Sequence, residues 1–227
     1  MASSLKNTYP GIGRPGRVSL GGSQRLLVNK WLQHCGCGVV AALDLVRYLH
    51  LYHSDHQTDF FTGVPNTAEL LEPVYDLCAQ RMYRNFVPVL YPVGTTGFSL
   101  AGGLNRYFMR YGLPLKAHWG VSKDRIWQEI RTMLDQDLPV ILSVGNQFPK
   151  FWQKNGAALH RRSGEELKEA ARVHAHYVVV VGMDEKWLRI SSWGREYFLS
   201  RDEFIRYRNE ESMSLLCNIV CLRRRED

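Results

Sequence analysis

Cys35-Gly36-Cys37-Gly38-Val39-Val40-Ala41-Ala42-Leu43 is the stretch on which the reading of this chain turns. From Gly38 to about His53 the apolar residues Val39, Val40, Ala42, Leu43, Val46, Leu49 and Leu51 recur at helical spacing, with Asp44 and Arg47 between them. That pattern predicts a largely buried helix. Two thiols stand at its threshold, where the unpaired N–H groups and dipole of a helix N-terminus favour thiolate over thiol. Sulfur in that position is a candidate nucleophile; the competing reading is that a small residue merely suits a tight helix entry.

Working outward, residues 1 to 23 are rich in Gly, Ser and Pro and read as an irregular arm. Helical patterns follow at 68–84, 99–111 and 123–135, the last with Ser122 or Asp124 as a cap. The second half changes character. Pro139 to Val144, His176 to Gly182, Trp187 to Ile190, Glu196 to Leu199 and Ser214 to Leu222 are short β-rich runs bounded by turns, predicting an antiparallel sheet. Between the first two lies a polar, basic insertion or flap at 146–172, with a helical pattern at 164–172. Helices first and strands later make an α+β arrangement, expected as a single domain over 1–227.

The chain has 227 residues, 45% hydrophobic and 22% charged, enough to bury a core without disulfides or structural metal. The longest apolar runs, such as Val178 to Val181, are far short of the roughly 18 residues of a membrane span. The net charge of +7 is scattered: an acid-free N-terminal stretch holds Lys6, Arg14, Arg17, Arg25 and Lys30, and Arg223-Arg224-Arg225 is followed by Glu226 and Asp227. Aromatic residues do not alternate with basic ones, which argues against a nucleic-acid platform. Five cysteines are an odd number, and the first thirty residues hold no apolar core of a secretory signal, so a reducing cytoplasm is the expected location. Cys78, Cys217 and Cys221 fall in apolar segments and read as structural.

A nucleophilic thiol needs a base. His176 opens the strongest β-forming run, so Cys37 and His176 read as a pair in which imidazole takes the thiol proton and later protonates the leaving group. Cys35 is the alternative thiol and His174 the alternative base. Met183-Asp184-Glu185 follows as a turn, and then the run Leu188 to Gly194, which ends in Ser191-Ser192-Trp193-Gly194. His50, His53 and His56 lie three apart with Asp55 and Asp59 nearby; as a metal site they need convergent ligands, and an exposed helix end is the simpler reading. Gly94-Thr-Thr-Gly97 and Ala101-Gly102-Gly103 read as a turn before a helix.

The order of elements resembles the papain-like cysteine peptidases, and within them the compact bacteriocin-processing, double-glycine type. Cys37-Gly38 with its apolar helix is similar to that family's nucleophile, Leu138 to Val144 to its first central strand, and His176 to Gly182 followed by Asp184 to its histidine strand and turn. Ser191-Ser192-Trp193-Gly194 resembles its Asn-Ser-Trp-Gly, and Phe198-Leu-Ser200 with Asp202-Glu203-Phe204 its strand and helix start. His176 lies 139 residues after Cys37, within the spacing of such enzymes.

The resemblance implies a papain-like fold, with a helical half packed on the sheet, and a peptidase or amidase without metal or cofactor. Its partner would be a peptide or amide-containing substrate. It also implies roles: Cys37 as nucleophile, His176 as base then acid, Ser191 or alternatively Ser192 as orienter, Gln33 at the oxyanion and Trp193 as a wall shielding the histidine. Gln33 lies four residues before Cys37, where the family places its glutamine six before, a position held here by Trp31. An acyltransferase, or a binding module that has lost activity, are the other readings of the same fold.

Overall fold

The computed structural model describes residues 2–14, 16–145, 147 and 155–225. In chain order its elements are β1 (Ser3–Ser4), β2 (Gly11–Arg14), β3 (Arg17–Val18), α1 (Lys30–Cys35), α2 (Cys37–Tyr52), β4 (Glu69–Leu71), α3 (Glu72–Asn85), α4 (Gly97–Arg110), β5 (Leu115–Trp119) and α5 (Ile126–Asp135). There follow β6 (Val140–Val144), β7 (Ala157–Ser163), β8 (Glu166–Val173), β9 (His176–Met183), β10 (Trp187–Ser192), β11 (Arg195–Ser200), α6 (Arg201–Arg206) and β12 (Ile219–Arg224). The architecture is α+β: six α-helices and a large antiparallel sheet among the described residues.

The sheet runs in the order β5-β12-β6-β9-β10-β11-β7-β8, with β1 added alongside β9. One connection dictates its shape. β8 lies four places from β9, which on a flat sheet is about 19 Å, yet only His174 and Ala175 join them. Two linking residues span about 10 Å at most. The sheet must therefore curl until the end of β8 meets the start of β9, and Ala175 takes a left-handed φ of 52° in the link. The curl sets His176 at an inner corner.

Helix α2 is the axis of the helical half. Every residue from Gly38 to Leu49 is buried, and the helix packs on β9 and β6 and against α3 and α4. Each buried Leu or Val contributes about 1.5–3 kcal/mol, so the entry to α2 is held firmly. Its start is set by Gly36, which closes α1 and opens α2 at once; a Cβ there would lie 2.4 Å from the Leu32 carbonyl oxygen. Asn29 Oδ1 caps α1 by accepting from Trp31 N and Leu32 N at 2.9 and 3.2 Å.

Two expectations are corrected. The 164–172 stretch is not a helix but strand β8, hairpinned to β7 through Gly164-Glu165, with Gly164 at φ 65° as the first residue of a two-residue turn. The rest of the expected flap, apart from Gln147 and 155–163, lies outside the described residues. The N-terminal arm is not irregular throughout: β1 pairs with β9, and β2 joins β3 and, in parallel, β4 in a second small sheet. Among the described residues no helix is long and apolar enough to cross a membrane.

Candidate functional site

Cys37 is the first residue of α2 and its side chain is half-buried at the base of a cleft of about 710 Å³. His176 opens β9 and lines the same cleft, so the fold brings two groups 139 residues apart in sequence into one cleft. Cys35 also reaches the cleft, but its buried Sγ donates to the Pro92 carbonyl at 3.3 Å, which holds it as a thiol. His174 sits exposed in the β8–β9 link, at the cleft rim.

His176 is buried and held on two sides. Its Nε2 is 2.8 Å from Ser192 Oγ, and its ring stacks on Trp193 with centroids 4.6 Å apart and planes 23° from parallel. With the proton on Nε2 donated to Ser192, Nδ1 is left with the lone pair that can accept from a thiol. Trp193 and Gly194 form the two-residue turn between β10 and β11 with φ of 49° and 70°. A tryptophan in that region costs on the order of 1 kcal/mol, and the turn delivers its indole to the imidazole. The Arg25 guanidinium lies over the same indole, 4.8 Å from its centroid.

Of the two adjacent serines, Ser192 holds His176, whereas Ser191 Oγ donates to the Leu20 carbonyl at 2.8 Å and secures the arm. The orienting position expected of Ser191 is thus occupied by the alternative, Ser192. Gln33 lines the cleft, but its Nε2 donates to the Leu27 carbonyl at 2.6 Å, which turns that donor toward the loop before α1. The shortened spacing to Cys37 explains the difference, since Gln33 lies inside α1 rather than in a free loop ahead of the nucleophile.

The electrostatics depart from a simple helix-terminus expectation. Burial pushes the Cys37 thiol above its ordinary range, and the backbone amides of Tyr177 and Gly38, which point at the sulfur, only partly offset it. Burial, helped by the Arg25 charge, pushes His176 down to about 4. At pH 7 the resting pair is a neutral thiol beside a neutral imidazole.

Around them the walls are apolar and basic. Val93, Phe98 and Leu215 line the cleft while more than half exposed, Trp119 and Tyr177 meet edge to face at 6.5 Å, and Arg25, Arg172, His34 and His174 also contribute. No carboxylate lines this cleft among the described residues. Arg25, Tyr177 and Trp119 were not singled out from the sequence; Arg25 sat in a basic arm with no visible destination. Away from the cleft, His53, Asp55 and His56 place ligand atoms within 4.8 Å of one another, with His56 buried rather than on an exposed helix end. His53 Nε2 is already 3.0 Å from the Asp137 carbonyl oxygen.

No protein-family model matches the chain and no curated protein matches it.

Proposed function

We propose that the protein is a cysteine-nucleophile acyl-transfer enzyme of papain-like type, a peptidase or amidase. The observation that supports this best is that Cys37, at the start of a buried helix, and His176, whose Nε2 is hydrogen-bonded to Ser192, line one cleft; with the proton on Nε2, Nδ1 is left to exchange a proton. In the proposed reaction the Cys37 proton passes to His176 Nδ1 as sulfur bonds to the substrate carbonyl carbon. Collapse breaks the C–N bond and the amine leaves with the proton from Nδ1; water then gives a proton to the same nitrogen as its oxygen bonds to the thioester carbon, the C–S bond breaks to release the acid, and the proton returns to the Cys37 sulfur. Orphan N–H groups at the start of α2 are the nearest electrophilic donors for the oxyanion. The apolar lips, and the lack of carboxylates among the described lining residues, favour apolar or acidic acyl segments over basic ones.

The test is the rate of iodoacetamide labelling at Cys37 against pH, mapped by peptide mass. Native protein should show a component below pH 8 that is absent in Cys37→Ser and lost in His176→Ala, and acyl probes should then label the same thiol. A second reading, a binding module on the same fold, draws on the burial that holds both groups neutral. It predicts slow labelling at Cys37, unchanged by His176→Ala.

A further inference from the structure

Behind His176 lies a second, smaller cavity of about 20 Å³, lined by Cys37, Asp44, His176, Ser191 and Ser192 among others. Asp44 is seven residues after Cys37, two turns along α2 on the same face. It is 4% exposed, its Oδ2 accepts from Gly22 N at 2.7 Å and its Oδ1 from the Tyr75 hydroxyl at 2.7 Å. Neither donor is charged. Arg47, one turn further on, sends its guanidinium to the carbonyls of Gly11 and Thr67, and no ion pair joins it to Asp44. A buried carboxylate without an ion pair is costly to keep.

Gly21 shows how closely this carboxylate approaches Ser191, the neighbour in sequence of the serine that holds the histidine. A Cβ at position 21 would lie 2.2 Å from Ser191 Oγ and 2.8 Å from Asp44 Oδ2, so both oxygens crowd one point. Ser191 is bonded along the chain to Ser192, whose Oγ holds His176 Nε2. A cavity of this volume accommodates one water, and Ser192 and Asp44 both line it.

Resting on the proposed Cys–His reading, we propose that Asp44 is a positioning residue for His176: its negative charge, relayed through Ser192 and the small cavity, stabilises the imidazolium that forms when Cys37 gives up its proton. No proton reaches Asp44. The thiol proton moves from Sγ to Nδ1, Nε2–H stays donated to Ser192 Oγ, and the hydroxyl proton of Ser192 turns toward the carboxylate. Burial raises Asp44 to about 6, offset in part by its Gly22 and Tyr75 hydrogen bonds and by Arg47, so it is ionised at pH 7. The other titratable groups of this region are Tyr9, whose buried hydroxyl has no partner among the described residues, Tyr75, Arg47, the Cys37 thiol and Tyr177, both raised by burial, and, on the cleft side, Arg25. All but Asp44 are neutral or cationic at neutral pH, which leaves it as the anion available to an imidazolium here.

The experiment is the pH profile of Cys37 alkylation by iodoacetamide in the native chain, Asp44→Asn, Asp44→Glu and His176→Ala, with thermal melting of each. Asp44→Asn is expected to slow alkylation about tenfold at pH 7, equivalent to one unit in the apparent thiol pKa, and to converge on the native rate only at a pH above the raised pKa of the Cys37 thiol, where the thiolate forms without help. Asp44→Glu should recover part of the loss. A purely structural Asp44 would lower the rate equally at every pH, and a profile identical to the native one would leave Asp44 with no part in the site; either result overturns the proposal. Should native and His176→Ala profiles coincide, the dyad itself fails, and the relay with it, which is a separate outcome from failure of Asp44 alone.

Discussion

Asp44 and Glu129 are both carboxylates on helices, equally buried at 4% exposure, and they titrate in opposite directions. Burial pushes both up. At Glu129 that push is overcome by the hydrogen bond and charge of Arg223 and by Arg125, 2.9 Å away, and the acid ends below its ordinary range. At Asp44 the donors are an amide and a phenol, and the acid ends near 6. Burial alone therefore says nothing about purpose. A buried acid with cationic partners ties elements together, here α5 to β12; one with neutral donors keeps a charge that another group can use.

The comparison can be broken most sharply at Gly21. Gly21→Ala sets a Cβ onto Ser191 Oγ and Asp44 Oδ2 at a residue whose φ is 70°, and a loss of about 3 kcal/mol is expected from strain and overpacking, read from the urea midpoint. Its alkylation rate should fall with it.

Next in size is a pH effect with two opposing signs. Asp44, raised from 3.8 to about 6, contributes stability that is present below pH 3.8 and lost as pH rises to 6. His176, lowered from 6.5 to about 4, contributes stability that is present above pH 6.5 and lost as pH falls to 4. Between pH 4 and 6 the two slopes oppose, so native stability should be nearly flat there on their account. Asp44→Asn should unmask a rise of about 2–3 kcal/mol from pH 4 to 6.5, and His176→Ala a fall of similar size. Urea midpoints at half-unit intervals would show it, and parallel curves for both variants would remove the premise that these groups are perturbed.

Glu129→Gln is expected to cost about 1–2 kcal/mol at pH 7, since its arginines are partly exposed and regain water. The alkylation profile should stay native, which separates the two acids functionally. The smallest effect belongs to Arg25→Gln. Removing its charge should raise His176 by less than one unit, detectable as a modest upward shift of the acid limb of the alkylation profile, with the melting temperature little changed.

What could be read from the sequence followed from strong local patterns. The apolar spacing after Cys37 marked α2 to within a residue at its start, and the valine run from His176 marked β9. Leu167 to Arg172 misled because Leu, Lys, Glu, Ala and Arg all favour helix; the Gly164-Glu165 turn and pairing with β7 override that preference on a mostly exposed hairpin. The choice between Ser191 and Ser192 depends on strand register, since one residue decides which hydroxyl faces the imidazole. Asp44 was visible only as a polar residue on a buried helix, because its neighbours Gly22 and Tyr75 come from segments the pattern cannot bring together.

The N-terminal arm forms part of the site's floor: Leu20 accepts from Ser191, Gly22 donates to Asp44, and Leu20 N donates to the Gly194 carbonyl. In time this inverts the order of synthesis. Residues 20–22 are made well before the hairpin carrying Ser191 and Gly194 but cannot seat until it exists, 171 residues beyond Leu20 in the case of Ser191. A nascent chain that has already formed α2 therefore still lacks both the histidine and the strap beneath it, and Cys37 and His176 share a cleft only once that hairpin has been made.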